Sequence, residues 1–299
     1  MADNGIVTEA GGDPVAGYES RATLELVELM NAADATVAGT VAGAAPTIAA
    51  AVDAISERLR RGGRLVYVGA GSSGLLAALD ASECEATFSV PPGVVVALVA
   101  GGVGTPALAQ AEAEDDRAGG ARDILAVEIG PADTVVGVSA SGATPYVLGA
   151  LDAARRAGAL TVGVVSAVQS PLAELVEHEI AVVVGPEFIA GSTRLKAGTA
   201  QKLVLNTIST VSMIRLGKTY GNLMIDVVPA NEKLADRVRR IVATASGASQ
   251  EQVDAALAAA DGDARVAIVS LLAGVDPAAA RRRLDASDRS IAAALELAE

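Results

Sequence analysis

Two segments of this 299-residue chain set glycines and small hydroxyl side chains directly after a short apolar run. Gly69-Ala-Gly-Ser-Ser-Gly74 follows Arg64-Leu-Val-Tyr-Val68, and Ser139-Ala-Ser-Gly-Ala-Thr144 follows Thr134-Val-Val-Gly-Val138. A strand running into such a turn and then a helix offers free backbone N–H groups, a helix N-terminus and hydroxyl donors to an anion. Two of these turns side by side at the carboxyl edge of a parallel sheet can converge on one anion, and a phosphate fits best. The candidate ligand residues are Gly71, Ser72 and Ser73 in the first turn and Ser139, Ser141 and Thr144 in the second. Gly69, Gly71 and Gly74 also satisfy the G-x-G-x-x-G pattern. A dinucleotide site would want an acidic residue after the next strand to hold a ribose, yet Val94-Val-Val-Ala-Leu-Val99 runs into Ala-Gly-Gly. A second hydroxyl turn suits a compact sugar phosphate better. Serine and threonine are also ordinary helix caps, so two caps without a ligand remain the competing reading.

Between the turns lie two acidic segments, Asp80-Ala-Ser-Glu-Cys84 and Glu112-Ala-Glu-Asp-Asp116. Paired carboxylates can work as general acid and base. Acidic side chains are equally at home on a solvated face, and composition does not choose between the two. Arg194, Lys196 and Lys202 surround a Gly-Thr pair at an expected helix start, where they could face an anion or solvent. His178, between two glutamates, reads as a surface or interface residue. Cys84, with no basic neighbour in sequence, reads as a small buried side chain rather than a nucleophile.

The elements that must position these residues alternate. Helical periodicity starts near Thr23, and a second helix covers about 36–60 before Gly62-Gly63. Apolar runs at 64–68, 94–99, 134–138, 160–165 and 180–184 are short, rich in β-branched residues and bounded by Gly, Pro or charge, as five buried parallel strands would be. A long helix is expected over about 198–216, with Gly217 and Gly221 breaking the pattern. Beyond 232 everything reads as short amphipathic helices. The expected division is an irregular arm over 1–22, an α/β domain over 23–231 and a small helical domain over 232–299. Apolar residues make up 51% of the chain and aromatics 2%, so the core must be Ala, Val, Leu and Ile packed between helices and sheet. A net charge of -13 disfavours nucleic acid. One Cys and one His leave no basis for a disulfide framework or a His/Cys metal site. No basic-then-apolar leader and no long apolar span is visible, so a cytoplasmic protein without a membrane segment is expected.

The residues from Gly62 to Gly74, together with Leu79-Asp-Ala-Ser-Glu-Cys84, Ala140-Ser-Gly142 with Thr144-Pro-Tyr146, Lys196-Ala-Gly-Thr-Ala-Gln-Lys202 and Asn231-Glu-Lys-Leu234, resemble the N-acetylmuramic acid 6-phosphate etherases. These are lyases of the sugar isomerase (SIS) fold. The resemblance runs from about residue 23 through the helical tail. It implies a doubly wound SIS domain with a five-stranded parallel sheet, a homodimer, an amino sugar 6-phosphate ligand and no cofactor. Carried over by position, the two catalytic carboxylates fall on Glu83 and Glu114, with Glu83 protonating the leaving group. The phosphate hydroxyls fall on Ser72, Ser73, Ser139, Ser141 and Thr144. Lys196 joins the substrate-binding set, and Glu232 and Lys233 would complete a partner subunit's site.

The chain departs from the family pattern at two arginines. It has Gly74-Leu-Leu-Ala77 where Gly-Arg-Leu-Gly is usual, and Ser141-Gly-Ala-Thr144 where Ser-Gly-Arg-Thr is usual. If those guanidinium groups are buried against the ligand, each loss removes about 2–5 kcal/mol of anion binding. The hydroxyl turns are kept, so the missing anion would be the lactyl carboxylate. On that ground the leading expectation is a dehydratase of N-acetylglucosamine 6-phosphate, acting by C2 proton abstraction and loss of the C3 substituent as water. The alternative is a true muramic acid 6-phosphate etherase releasing D-lactate. A phosphosugar isomerase and a non-catalytic phosphosugar sensor are further alternatives.

Overall fold

The computed structural model describes residues 17–227 and 232–297. Residues 1–16 of the expected N-terminal arm lie outside the described residues. The first described element is a 3-10 turn over Tyr18–Ser20, with Tyr18 stacked on Phe188 at 4.7 Å. Helix α1 spans Thr23–Asp34, α2 Val37–Gly43 and α3 Ala45–Arg60. The single helix expected over 36–60 is therefore two. The break falls at Ala44, and Pro46, which cannot continue a ladder from the preceding turn, sits in the first turn of α3.

Strands β1 (Leu65–Gly69), β2 (Val95–Val99), β3 (Thr134–Val138), β4 (Leu160–Val165) and β5 (His178–Ala181) alternate with α4 (Gly71–Phe88), α5 (Ala107–Glu114), α6 (Arg117–Ala126) and α7 (Pro145–Arg156). They form one parallel sheet in the order β2-β1-β3-β4-β5. Every residue of β1, β3 and β4 is buried, which is why these strands read as continuous apolar runs. β5 starts two residues earlier than expected, so His178 belongs to this edge strand and is half-buried. The chain leaves β1 toward one edge and β3 toward the other, which makes the β1/β3 boundary the topological switch point.

At the amino end of that boundary, Asp133 is clamped. Its carboxylate accepts from the Arg64 guanidinium at 2.8 and 3.1 Å, from the Arg64 backbone N–H at 2.9 Å and from Gly130 N–H at 3.0 Å. Burial pushes this carboxyl up, but Arg64 and the two N–H groups outweigh it and hold it below the usual range.

Helix α8 (Lys196–Arg215) follows the sheet. Contacts divide the described chain into two compact units, 17–82 with 93–210, and 83–92 with 211–297. The second contains a hairpin, β6 (Thr219–Tyr220) with β7 (Leu223–Met224), that two-residue strands were too short to announce. It also contains α9 (Glu232–Ser246), α10 (Gln250–Ala259), α11 (Ala264–Ala273), α12 (Pro277–Asp285) and α13 (Ile291–Glu296). Its core is built on Val238, Val242, Val266 and Ile268 around a buried Arg265, which grips Asp226 bidentately. Among the described residues no single helix is long and apolar enough to cross a membrane.

Helices α6 and α7 approach so closely that side chains are excluded at two points. A Cβ on Gly120 would lie 1.9 Å from the Tyr146 carbonyl oxygen, and one on Gly149 1.9 Å from the Arg117 carbonyl oxygen. Both obstacles are backbone and cannot rotate away. Gly120→Ala should therefore lower unfolding free energy by about 1–3 kcal/mol in urea titration, through forced separation of the helices. A midpoint equal to the parent's would show that the pair yields freely.

Candidate functional site

The register of β1 against β3 sets Gly69 opposite Val138, so the two hydroxyl turns begin on neighbouring strands. In the first turn Gly71 has φ +51° and α4 starts at once. A Cβ on Gly74 would lie 2.7 Å from the Gly69 carbonyl oxygen and 2.8 Å from Val99 Cγ1. The glycine pattern thus serves close packing of α4 on its strand. Ser72 is exposed, and Ser73 is half-buried with its hydroxyl donating to Gln201 Oε1 at 3.0 Å.

The second turn is held by its own hydroxyls. Ser139 Oγ accepts from Gly142 N–H at 3.0 Å and Ser141 Oγ from Ala143 N–H at 3.2 Å. Gly142, at φ +66°, lies against Ser170, where a Cβ would come within 2.4 Å of Ser170 Cβ. Thr144 flanks the start of α7 but makes no side-chain cap bond. Its hydroxyl donates instead to Glu114 Oε1 across a long 3.4 Å and contacts Ser139 Oγ at 2.9 Å. Because Thr144 spends its proton on Glu114, Ser139 must donate to Thr144. The polar chain therefore runs from Gly142 N–H through Ser139 and Thr144 to the Glu114 carboxylate. Four of the expected site residues, Ser139, Ser141, Thr144 and Glu114, are brought together here.

The remaining candidates are placed separately. Lys196 is 7% exposed at the start of α8, and its ammonium donates to the Val184 carbonyl oxygen at 2.7 Å rather than to a carboxylate. Glu187, itself buried, caps α8 by accepting from the Lys196 and Ala197 N–H groups at 2.9 and 3.0 Å. Arg194 and Lys202 are exposed, as is Glu112. Glu83 is exposed on α4 and belongs to the second unit, as do the exposed Glu232 and Lys233 at the start of α9; Asn231 lies outside the described residues. Cys84 is buried.

The acidic segment of α4 divides by helical phase. Ala77, Asp80, Ala81, Cys84 and Phe88 form the buried stripe, and Glu83 falls outside it. Asp80 accepts from Tyr67 Oη at 2.8 Å, Asn206 Nδ2 at 2.5 Å and Ser209 Oγ at 3.0 Å, tying α4 to β1 and α8. Asn206, Ser209 and Gln201 were not singled out from sequence. The available signal was polar residues on the apolar stripe of α8.

A cavity of about 520 Å³ opens beside the edge strand β2, lined by Val99, Gly101, Gly102, Asp116, Arg122 and Tyr146 among others. It is large enough for a sugar phosphate, but none of the hydroxyl-turn side chains lines it. Its acids are already engaged. Asp116 accepts from Gly119 N–H and Arg122, and Asp123 from Tyr146 Oη at 2.6 Å. Burial, reinforced by Asp123, pushes the Tyr146 phenol far up, so it stays a neutral donor. Among the described residues no cluster of three or more His, Cys, Asp or Glu could hold a metal ion.

Residues 47–155 match the profile of the glucokinase regulatory protein N-terminal SIS domain. In solved structures, the chain is similar to a phosphoheptose isomerase from Francisella tularensis, at 19% identity and a TM-score of 0.51, over 65% of this chain and 100% of that one. A phosphoheptose isomerase from Neisseria gonorrhoeae has the same TM-score at 16% identity, over 64% and 98% of the two chains. Both likenesses concern the fold. Among curated proteins, the chain is 56% identical to an N-acetylmuramic acid 6-phosphate etherase from Rubrobacter xylanophilus, over 97% of this chain and 96% of the relative. It is 53% identical to the etherase from Streptomyces avermitilis over 98% and 94%, and 47% identical to that from an Enterobacter species over 97% and 98%. With an SIS-type α/β sheet, a helical C-terminal part and this identity along nearly its whole length, the chain belongs to the N-acetylmuramic acid 6-phosphate etherase family.

Proposed function

We propose that the chain is an N-acetylmuramic acid 6-phosphate etherase that removes the lactyl ether from C3 as D-lactate. Membership of the family makes it a carbon–oxygen lyase acting on an amino sugar 6-phosphate. The observation that favours lactate over water as leaving group is 53–56% identity to proteins named etherase along almost their full length. The dehydratase reading, preferred from sequence, rested on two missing arginines as lost buried charges. Leu75 is 44% exposed and Ala143 is exposed in the single chain, so neither is the buried position that this reading assumed. An exposed charge pair contributes about 0–1 kcal/mol, so the roughly 2–5 kcal/mol argued for a buried pair does not carry over.

The chemistry is set by the sugar. In the open-chain form the C1 aldehyde acidifies the C2 proton. A carboxylate takes that proton, its electron pair becomes the C2–C3 double bond, the C3–O bond breaks, and a carboxylic acid protonates the departing lactyl oxygen. Glu114 takes the role of base and Glu83 that of acid, by resemblance. Glu114 is half-buried with the Thr144 hydroxyl on it, and Glu83 is exposed on α4. Ser72, Ser73, Ser139, Ser141, Thr144 and the backbone around Gly71 hold the phosphate, and Lys196, a buried cation at the start of α8, belongs to the substrate-binding set. Glu232 and Lys233 are assigned to the partner subunit's site.

The assembly is a homodimer. Helix α1 buries none of its residues, and it leaves Leu24 69% and Val27 51% exposed one turn apart, an apolar strip that a second copy of the chain would cover. Light scattering should give twice the chain mass for the parent and the single mass for Leu24→Glu with Val27→Glu. A monomeric parent sinks this reading.

Incubation with N-acetylmuramic acid 6-phosphate and, separately, N-acetylglucosamine 6-phosphate, with products identified by mass spectrometry, should show lactate release from the first as the faster reaction. Faster loss of water from the second would restore the dehydratase. Glu83→Gln and Glu114→Gln should each lower kcat/KM roughly 100-fold or more, with ligand binding by calorimetry largely kept. Near-normal turnover in either variant removes that residue from the mechanism.

A further inference from the structure

Gln201 carries a polar mismatch at the first turn. It is 2% exposed on α8, its Oε1 takes the Ser73 hydroxyl proton at 3.0 Å, and its Nε2 is buried with no hydrogen-bond partner among the described residues. A buried N–H without an acceptor is rare in folded proteins, rarer than an under-satisfied carbonyl. Turning the side-chain amide by half a revolution exchanges oxygen and nitrogen at nearly the same positions. Nε2 then donates to Ser73 Oγ, the orphan becomes the more tolerable carbonyl, and the Ser73 proton is released.

The two orientations give the serine opposite polarity. With Oε1 on Ser73, the hydroxyl proton is consumed and only lone pairs face a ligand. With Nε2 on Ser73, the hydroxyl can donate to an anion at the start of α4, where the helix dipole and free N–H groups already favour one. We propose that Gln201 is a positioning residue for the sugar phosphate: when a phosphoryl group occupies the first turn its amide reorients, so that Nε2 donates to Ser73 Oγ and Ser73 donates to a phosphoryl oxygen. The proposal rests on the reading of residues 69–74 as a phosphate turn.

The test measures Kd for N-acetylglucosamine 6-phosphate by calorimetry in the full-length parent, Gln201→Glu, Gln201→Leu and Ser73→Ala. An ionised carboxylate in place of the amide can only accept, so it locks the serine proton and sets a negative charge beside the anion. At about pH 8 Gln201→Glu should bind about 10-fold or more weaker than the parent, while Gln201→Leu, which frees the serine proton, loses only about threefold. As the pH falls from about 8 to about 5, burial at this 2% exposed position favours protonation of the new carboxyl, which can then donate, and the gap between Gln201→Glu and the parent should narrow. A merely structural glutamine would make leucine at least as harmful as glutamate, with no dependence on pH, and that result overturns the inference. If Ser73→Ala binds like the parent, the phosphate turn itself is wrong and the inference falls with it; if Ser73→Ala weakens binding but the glutamate and leucine variants are equivalent, only the inference falls. Should Gln201→Glu not fold, the parent labelled with ¹⁵N-glutamine decides. The side-chain NH₂ signals that vanish in Gln201→Leu should shift on saturation with the sugar phosphate, and unmoved signals overturn the proposal.

Discussion

The register between β1 and β3 is the constraint on which the rest of the site depends. Gly69 pairs with Val138, and both strands end there. Neighbouring strands are about 4.8 Å apart, so the two turns start within one strand spacing of each other. The order β2-β1-β3-β4-β5 then sends the two right-handed crossovers in opposite directions, which places α4 and α7 on opposite faces of the sheet with both N-termini at the same edge. Sliding β3 by a single residue would turn its buried faces over and carry the second turn away from the first. The Asp133–Arg64 clamp at the far end of the same two strands opposes that slip.

A second constraint brings the carboxylate to the turn. Gly120 and Gly149 let α6 and α7 meet backbone to backbone, and α6 comes directly after the segment that ends at Glu114. The Thr144 hydroxyl beside α7 is thereby within reach of Glu114. On α4 the corresponding tie is Asp80, a buried acid that accepts from three neutral donors instead of pairing with a cation. Such a carboxylate fixes the rotation of α4 about its axis, and with it the side on which Glu83 emerges.

Hydroxyl direction, more than hydroxyl number, decides what the turns can offer an anion. Ser139 and Thr144 send their protons along a chain to Glu114, and Ser73 sends its proton to Gln201. Ser141 has Ser139 Oγ within 3.4 Å, and with the Ser139 proton spent on Thr144 it is the donor of that long contact, while Ser72 stands exposed. An anion arriving at either turn would therefore compete for protons that the protein already uses.

Local chemistry was legible in the sequence because it depends on neighbours along the chain. The β-branched runs read as buried strands and the glycine-hydroxyl turns as helix starts, and the family motifs named the family. Other features were not legible. The break at Ala44 and the two-residue β6/β7 hairpin fall below the length at which periodicity speaks, and the shifted start of β5 is an edge effect. The burial of Asp80 and Gln201, the close approach at Gly120 and Gly149, and the exposure of Leu75 and Ala143 depend on which surfaces meet between distant parts of the chain or between helices. The missing arginines illustrate the difference. Their absence is a fact of sequence, but the worth of a charge is set by its solvent exposure, and only the folded chain fixes that.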